Sequence, residues 1–180
     1  KVGKGHKVGV LGMGGLGHMG VKFAKALGAE VTIFTRSEAK VAEAKKQGAD
    51  HVIISTDKEQ MKAAADSFDF LLDTIPVAHD LNPYLKCLKY DGTHILVGLL
   101  TPIEPALQAG LLVTKRRVVA GSLIGGMPET QEVLDFCAEH DITCDIEMLD
   151  IRNINEAYVR MKKGDVKYRF VIDMKTLKEG

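Results

Sequence analysis

Gly12, Gly14 and Gly17 follow the apolar run Val8-Gly9-Val10-Leu11 and precede Val21, Phe23, Ala24 and Leu27, which recur at helical spacing until Gly28. A glycine loop between a strand and a helix is suited to holding a phosphate. Gly12 permits the tight turn, Gly14 lets the phosphate approach the backbone, and Gly17 lets the helix lie close on the strand. Gly15 and Leu16 complete the loop. The helix N-terminus then turns unpaired N–H groups and a partial positive charge toward a pyrophosphate. Glycine fills 18 of 180 positions, so this spacing arises by chance about 0.2 times in such a chain. Its place between a strand and a helix, rather than the spacing alone, points to a dinucleotide.

The end of the next strand, Val31-Thr32-Ile33-Phe34, selects between dinucleotides. NAD favours an acidic residue there, accepting from the ribose hydroxyls. Here the strand runs into Thr35-Arg36-Ser37, with Lys40 one turn on; Glu30 is at the wrong end and Glu38 is past the turn. Two cations and two hydroxyls suit the 2′-phosphate of NADP(H). Later strand ends should complete the cleft with Thr74, Ile75, Val97, Gly98, Leu99, Ser122 and Ile124. The six histidines are scattered without an evident constellation, and Cys87, Cys137 and Cys144 form no metal-binding spacing. No catalytic residue and no metal ligand is therefore assigned. Lys115-Arg116-Arg117 reads as a solvated basic run.

The elements that must position these residues alternate. Strands are expected at 7–12, 31–34, 51–55, 68–73, 93–98 and 117–123, and helices after Gly17, at 37–48, from 57, at 79–89, 105–113 and 128–140. This rhythm, with near-continuous apolar strands, predicts an α/β fold: a doubly wound six-stranded parallel sheet of order 3-2-1-4-5-6. Residues 1–145 are expected to form this NAD(P)-binding Rossmann domain. Past 145 the rhythm breaks into a strand near 146–149, a helical stripe of Ile154, Ala157, Tyr158 and Met161, and an alternating Tyr168, Phe170, Ile172 strand. These residues, 146–180, read as part of a neighbouring domain, and the start at Lys1 rather than Met reads as a segment of a longer chain.

Lys and Arg total 24 and Asp and Glu 24, a balance without the basic excess of a nucleic-acid binder. No apolar run approaches the roughly 18 residues of a membrane span. Three scattered cysteines suit a reduced, cytoplasmic protein. The apolar 117–123 strand, at the end of the sheet order, is expected to pair with its twin in a homodimer.

Gly12-Met-Gly-Gly-Leu-Gly-His-Met-Gly20, Asp73-Thr-Ile-Pro76, Gly121-Ser-Leu-Ile-Gly125 and Asp165-Val-Lys-Tyr-Arg-Phe-Val-Ile-Asp173 together resemble the cinnamyl-alcohol-dehydrogenase branch of the zinc-dependent medium-chain alcohol dehydrogenases, over about residues 3–175. The resemblance implies reversible hydride transfer between NADPH and a small-molecule aldehyde or alcohol. It places Thr35, Arg36, Ser37 and Lys40 at the 2′-phosphate. Thr74, Val97, Gly98, Leu99, Ser122 and Ile124 fall near the ribose and nicotinamide, and Arg169 near the pyrophosphate. It also implies zinc ligands, mostly upstream of the glycine motif, in segments this sequence does not contain. Zinc is thus expected only in that catalytic domain, and the chain alone is expected to be inactive. Two rivals remain: a non-catalytic dinucleotide-sensing Rossmann module, and a methyltransferase, disfavoured because its second strand usually ends in an acid.

Overall fold

The computed structural model describes residues 2–98 and 101–178. The chain opens with β1 (Lys7–Leu11), α1 (Gly15–Ala26) and β2 (Glu30–Thr35), then a 3-10 turn at Glu38–Lys40 running into α2 (Val41–Lys46). It continues through β3 (His51–Ile54), α3 (Lys58–Ala63), β4 (Phe68–Asp73), α4 (Asn82–Cys87) and β5 (Leu88–Leu96). Next come α5 (Ala109–Val113), β6 (Val118–Gly121), α6 (Met127–Glu139), β7 (Ile146–Asp150), α7 (Ile154–Lys163) and β8 (Arg169–Asp173).

The first six strands form one parallel sheet in the order β3-β2-β1-β4-β5-β6, as the alternation of elements predicts. Side chains on one face of β1 and β2 (Val8, Val10, Val31, Ile33) pack with Val21 and Ala24 of α1 and Ala44 of α2. On the opposite face Leu11, Phe34 and Leu71 pack with Leu85 and Cys87 of α4. Each large apolar side chain removed from water here contributes about 1.5–3 kcal/mol. Apolar residues on both faces of the central strands thus dictate helices on both sides of the sheet.

Besides the expected 105–113 helix and 117–123 strand, which shorten to Ala109–Val113 and Val118–Gly121, three details depart from the sequence reading. The expected 79–89 helix is shorter, Asn82–Cys87, and β5 starts already at Leu88, which pairs with Phe68 ahead of a register shift. The cause lies before the helix: the Asp80 carboxylate accepts the Asn82 N–H at 2.9 Å, so the chain turns helical only there. Second, β5 ends at Leu96: Val97 N–H still reaches the Asp73 carbonyl at 3.0 Å, but Gly98 N–H turns back onto the same oxygen at 3.2 Å. Third, Arg117 is buried rather than solvated. Its guanidinium donates to the carbonyls of Leu88 and Leu111 and to the Asp66 carboxylate at 2.7 Å, tying the start of β5 to the end of α5.

β7 and β8 form a separate parallel pair, in register from Ile146 with Arg169 to Asp150 with Asp173, and α7 connects them. This β-α-β unit docks on α1 and α2 through polar contacts. Lys22 Nζ donates to Asp145 Oδ1 at 2.7 Å, Gln47 Nε2 to Asp145 Oδ2 at 2.8 Å, and the Tyr168 hydroxyl to Glu43 Oε1 at 2.9 Å. Among the described residues, no helix is long and apolar enough to cross a membrane.

Several carboxylates are ionised partners in this framework. Burial pushes Asp69 up, but the Lys7 N–H at 2.7 Å and the Lys89 ammonium outweigh it and hold its carboxyl below the ordinary range. The Lys22 and Gln47 donors do the same for Asp145. A carboxyl depressed in the fold stabilises it fully above its unfolded pKa, about 4, and that contribution is lost as pH falls through the lower folded value. The thermal midpoint should therefore fall as pH drops from about 5 toward 2. Asp69→Asn should lower the midpoint at neutral pH and flatten the acid limb. Calorimetry across pH checks this, and an unchanged acid limb would remove Asp69 from the account.

Candidate functional site

The register lines up the carboxyl ends of five strands. Phe34, Leu11, Asp73, Leu96 and Gly121 are successive partners across β2, β1, β4, β5 and β6. The next residues continue the ladder one step. Gly12 N–H donates to Phe34 O at 3.3 Å, and Thr74 N–H to Leu11 O at 3.0 Å. Val97 N–H donates to Asp73 O at 3.0 Å, and Ser122 N–H to Leu96 O at 3.0 Å. Thr35, Gly12, Thr74, Val97 and Ser122, far apart in sequence, thus share one edge of the sheet, where ligands of open α/β sheets bind.

In the glycine loop, Gly12 has a φ of +85°, and a Cβ on Gly17 would stand 2.2 Å from the Gly12 carbonyl oxygen. Helix α1 can sit this close to β1 only without that Cβ. A Cβ on Gly14 would meet nothing within 4 Å. Gly14 is the N-cap of α1 and brings no side-chain cap, and the first turn holds no acidic residue. The helix therefore presents its first N–H groups to an open cradle suited to an anion. Gly15 lies next to β8: a Cβ there would be 4.0 Å from Arg169 Nε. Arg169 is exposed and so is Leu16, both at the loop.

Beneath the loop, His18 is fully buried and donates from Nδ1 to the Gly14 carbonyl at 3.1 Å. Its ring stacks on Tyr168 at 4.5 Å with a 15° interplanar angle. Burial pushes the imidazole down, which keeps it neutral. No sequence spacing announces His18, Tyr168 or Glu43 as a group, because β8 reaches α1 only in the folded chain.

At the tip of β2, Thr35 is buried, and its hydroxyl oxygen lies 3.4 Å from the Ser37 N–H. Arg36, Ser37 and Lys40 are exposed. Among the described residues, Arg36 and Lys40 make no ion pair, so both cations face solvent beside the sheet edge. In the middle of the edge, Thr74 donates through its hydroxyl to Leu11 O at 2.8 Å, and Ile75 N–H donates to Asp73 Oδ1 at 3.0 Å. Val97 and Gly98 are half-buried, while Ser122 and Ile124 are exposed. Leu99 lies outside the described residues.

The histidines do form a constellation, contrary to the sequence reading. His79 and His94 both place Nε2 2.9 Å from Asp73 Oδ2. Parallel pairing of β4 with β5, which puts His94 beside Leu71, brings them together. Among the described residues, no group of three His, Cys, Asp or Glu side chains is arranged to hold a metal ion.

A family model for zinc-binding dehydrogenases matches residues 15–139. Aldehyde reductase YahK of Escherichia coli (strain K12) is 55% identical over 177 residues, 98% of this chain and 51% of the relative. A probable cinnamyl alcohol dehydrogenase of Pinus radiata is 49% identical over 171 residues, 94% of this chain and 48% of the relative. Among solved structures, a cinnamyl alcohol dehydrogenase from Sorghum bicolor superposes with a TM-score of 0.90 at 44% identity, covering 95% of this chain and 48% of that one. The Helicobacter pylori enzyme complexed with NADP(H) gives 0.83 at 44%, covering 97% and 49%. The chain spans about half the length of the curated relatives it matches. Sequence, sheet order and superposition agree: the chain belongs to the zinc-binding dehydrogenase family, in its cinnamyl-alcohol-dehydrogenase-like branch.

Proposed function

We propose that the carboxyl edge of this sheet binds NADP(H), and that the chain serves hydride transfer between that cofactor and an aldehyde or primary alcohol. The open cradle at Gly14, at the N-terminus of α1, carries the reading. The residues present fit the group. The cradle and Arg169 would take the pyrophosphate. Arg36, Ser37 and Lys40 would take the 2′-phosphate, with the Arg36 guanidinium able to lie on the adenine face. Thr74, Ile75, Val97, Gly98, Ser122 and Ile124 would line the ribose and nicotinamide. When bound, the nicotinamide supplies or accepts the hydride. The chain's own part is to bind and orient: Thr74 is fixed by its bond to Leu11 O, and Val97 by its bond to Asp73 O, so this wall is set before a ligand arrives. The names of the Escherichia coli, Pinus radiata and Helicobacter pylori relatives support the reaction class and the cofactor. The zinc in the family's name finds no fitting cluster among the described residues.

In this reading residues 146–180 belong to the catalytic domain, and the free cysteines suit a cytoplasmic protein. The outer edge of β6 is also assigned to a homodimer. Val118 is exposed on it, and Leu123, Ile124 and Met127 are exposed just past its end, an apolar border that would continue the sheet across a two-fold axis. Sedimentation should give a dimer, and Leu123→Glu with Ile124→Glu should give a folded monomer. A wild-type monomer at high concentration would count against this interface.

Gly14→Val should abolish dinucleotide binding with the fold intact, because the added side chain enters the cradle and its Cβ meets no protein atom within 4 Å. Circular dichroism and an NADPH titration on one sample check this; unchanged affinity would reduce the glycine loop to a turn.

Arg36→Ala should weaken NADPH binding at least about tenfold, since a hydrogen bond to a charged group is worth on the order of 1.5–3 kcal/mol. It should leave NADH binding nearly unchanged, and the wild-type preference for NADPH should shrink as salt rises. Equal losses for both cofactors would assign Arg36 to the adenine alone, and tighter NADH binding in the wild type would overturn the choice of cofactor.

A further inference from the structure

The Gly14 carbonyl makes the first backbone bond of α1. Its oxygen accepts the His18 N–H at 3.1 Å, and the His18 ring places Nδ1 3.1 Å from the same oxygen. A carbonyl can only accept, so the ring bond requires hydrogen on Nδ1. Nε2 is buried without a partner among the described residues. Hydrogen on it would be a stranded buried donor, so the arrangement selects the neutral ring with a bare Nε2. Burial also pushes the imidazole down, against a second proton.

The peptide that the ring grips is the one in most need of holding. It joins Gly14 to Gly15, and with a glycine on each side no Cβ restricts its rotation. It also lies at a helix end, where backbone bonds fray. Among the described residues, His18 is the one side chain bonded to it. In a planar trans peptide the N–H points opposite to the C=O. Fixing Gly14 O toward the body of α1 therefore aims the Gly15 N–H out of the helix start, into the open space at Gly14. The N–H groups of Gly15, Leu16 and Gly17 have no protein partner among the described residues, so they are free to bond an anion.

The ring is itself held from behind. Tyr168 stacks on it at 4.5 Å, with its hydroxyl donating to Glu43 Oε1 at 2.9 Å and its N–H to the Asp145 carbonyl at 3.1 Å. The chain then runs into Arg169, whose Nε would stand 4.0 Å from a Cβ on Gly15. One buried ring thus meets both the cradle peptide and the residue before the arginine.

We infer that His18 is a positioning residue for the pyrophosphate of the dinucleotide: its Nδ1–H clamps the Gly14 carbonyl and so aims the Gly15 N–H at the phosphate. This rests on the NADP(H) reading of the cleft. His18 is fully buried and acts through the peptide rather than by touching the ligand. The clamp is remote from the cations at the tip of β2, so it serves NADPH and NADH alike.

The test compares wild type with His18→Phe, which keeps a stacking ring without a donor, and His18→Asn, whose amide can donate from the place of Nδ1. In nitrogen-edited spectra of the wild type at neutral pH, His18 should carry hydrogen on Nδ1 and none on Nε2; a bare Nδ1 overturns the clamp. Adding NADPH should shift the Gly15 amide signal, and adenosine 2′-phosphate, which lacks the pyrophosphate, should leave it in place. A Gly15 amide unmoved by saturating NADPH overturns the role, whether or not the variants fold. In titrations His18→Phe should bind NADPH and NADH more weakly by the same factor, about fivefold, and should bind adenosine 2′-phosphate as the wild type does. His18→Asn should regain most of that loss. Equal weakening toward adenosine 2′-phosphate would mean a general loosening of the fold, and a folded His18→Phe with wild-type affinity for both dinucleotides would leave the ring bond without effect; either result overturns the inference. A wild type that binds neither dinucleotide overturns the NADP(H) reading, and the pyrophosphate role with it.

Discussion

The close approach of α1 to β1 is the constraint on which the rest depends. The Gly17 backbone lies so near the Gly12 carbonyl that no side chain fits between them. That contact aims the start of α1 at the sheet edge. It also sets where the outer face of α1 lies, and this face carries Lys22 and, at its start, His18. The β7-α7-β8 unit meets α1 through those two residues, Lys22 by its bond to Asp145 and His18 by its stack on Tyr168. A bulkier residue at 17 would therefore move the phosphate cradle and the docking surface of the second unit together.

Much of this architecture is legible in the residues. Strands with apolar side chains for both faces announce a covered parallel sheet, and glycine at 12, 14 and 17 announces the loop. The β2 tip is readable because exposed cations and a missing carboxylate are local facts. The parts that escape the sequence depend on partners distant along the chain. β5 starts early because Leu88 finds Phe68 across the sheet, and Arg117 goes inside because carbonyls of Leu88 and Leu111 await it. Asp73, His79 and His94 carry no shared spacing. Two neighbouring strands and the loop between β4 and α4 must first be in place to bring them to one point.

The molecule handles its buried charge in two ways. Where water is near, as at Asp145, a carboxylate bridges Lys22 and Gln47 and joins two structural units. Where water is excluded, as at Asp73, the Ile75 N–H at 3.0 Å and two histidine ring nitrogens at 2.9 Å replace solvation. The buried arrangement is the more demanding, since losing one donor leaves a charge with nowhere to turn. That asymmetry explains how a carboxylate can sit at the centre of the sheet edge without disrupting the apolar layers above and below it.

The stack of Tyr168 on His18 has a mechanical consequence. Two flat rings at 4.5 Å, only 15° from parallel, set the separation between α1 and the start of β8. The phenol bond to Glu43 and the lysine bond to Asp145 lie to either side, on flexible side chains that can follow a small displacement. The joint thus holds its spacing by the packed rings and its lateral position by the two polar bonds, and it seats Arg169, the residue after the stacked ring, beside the glycine loop.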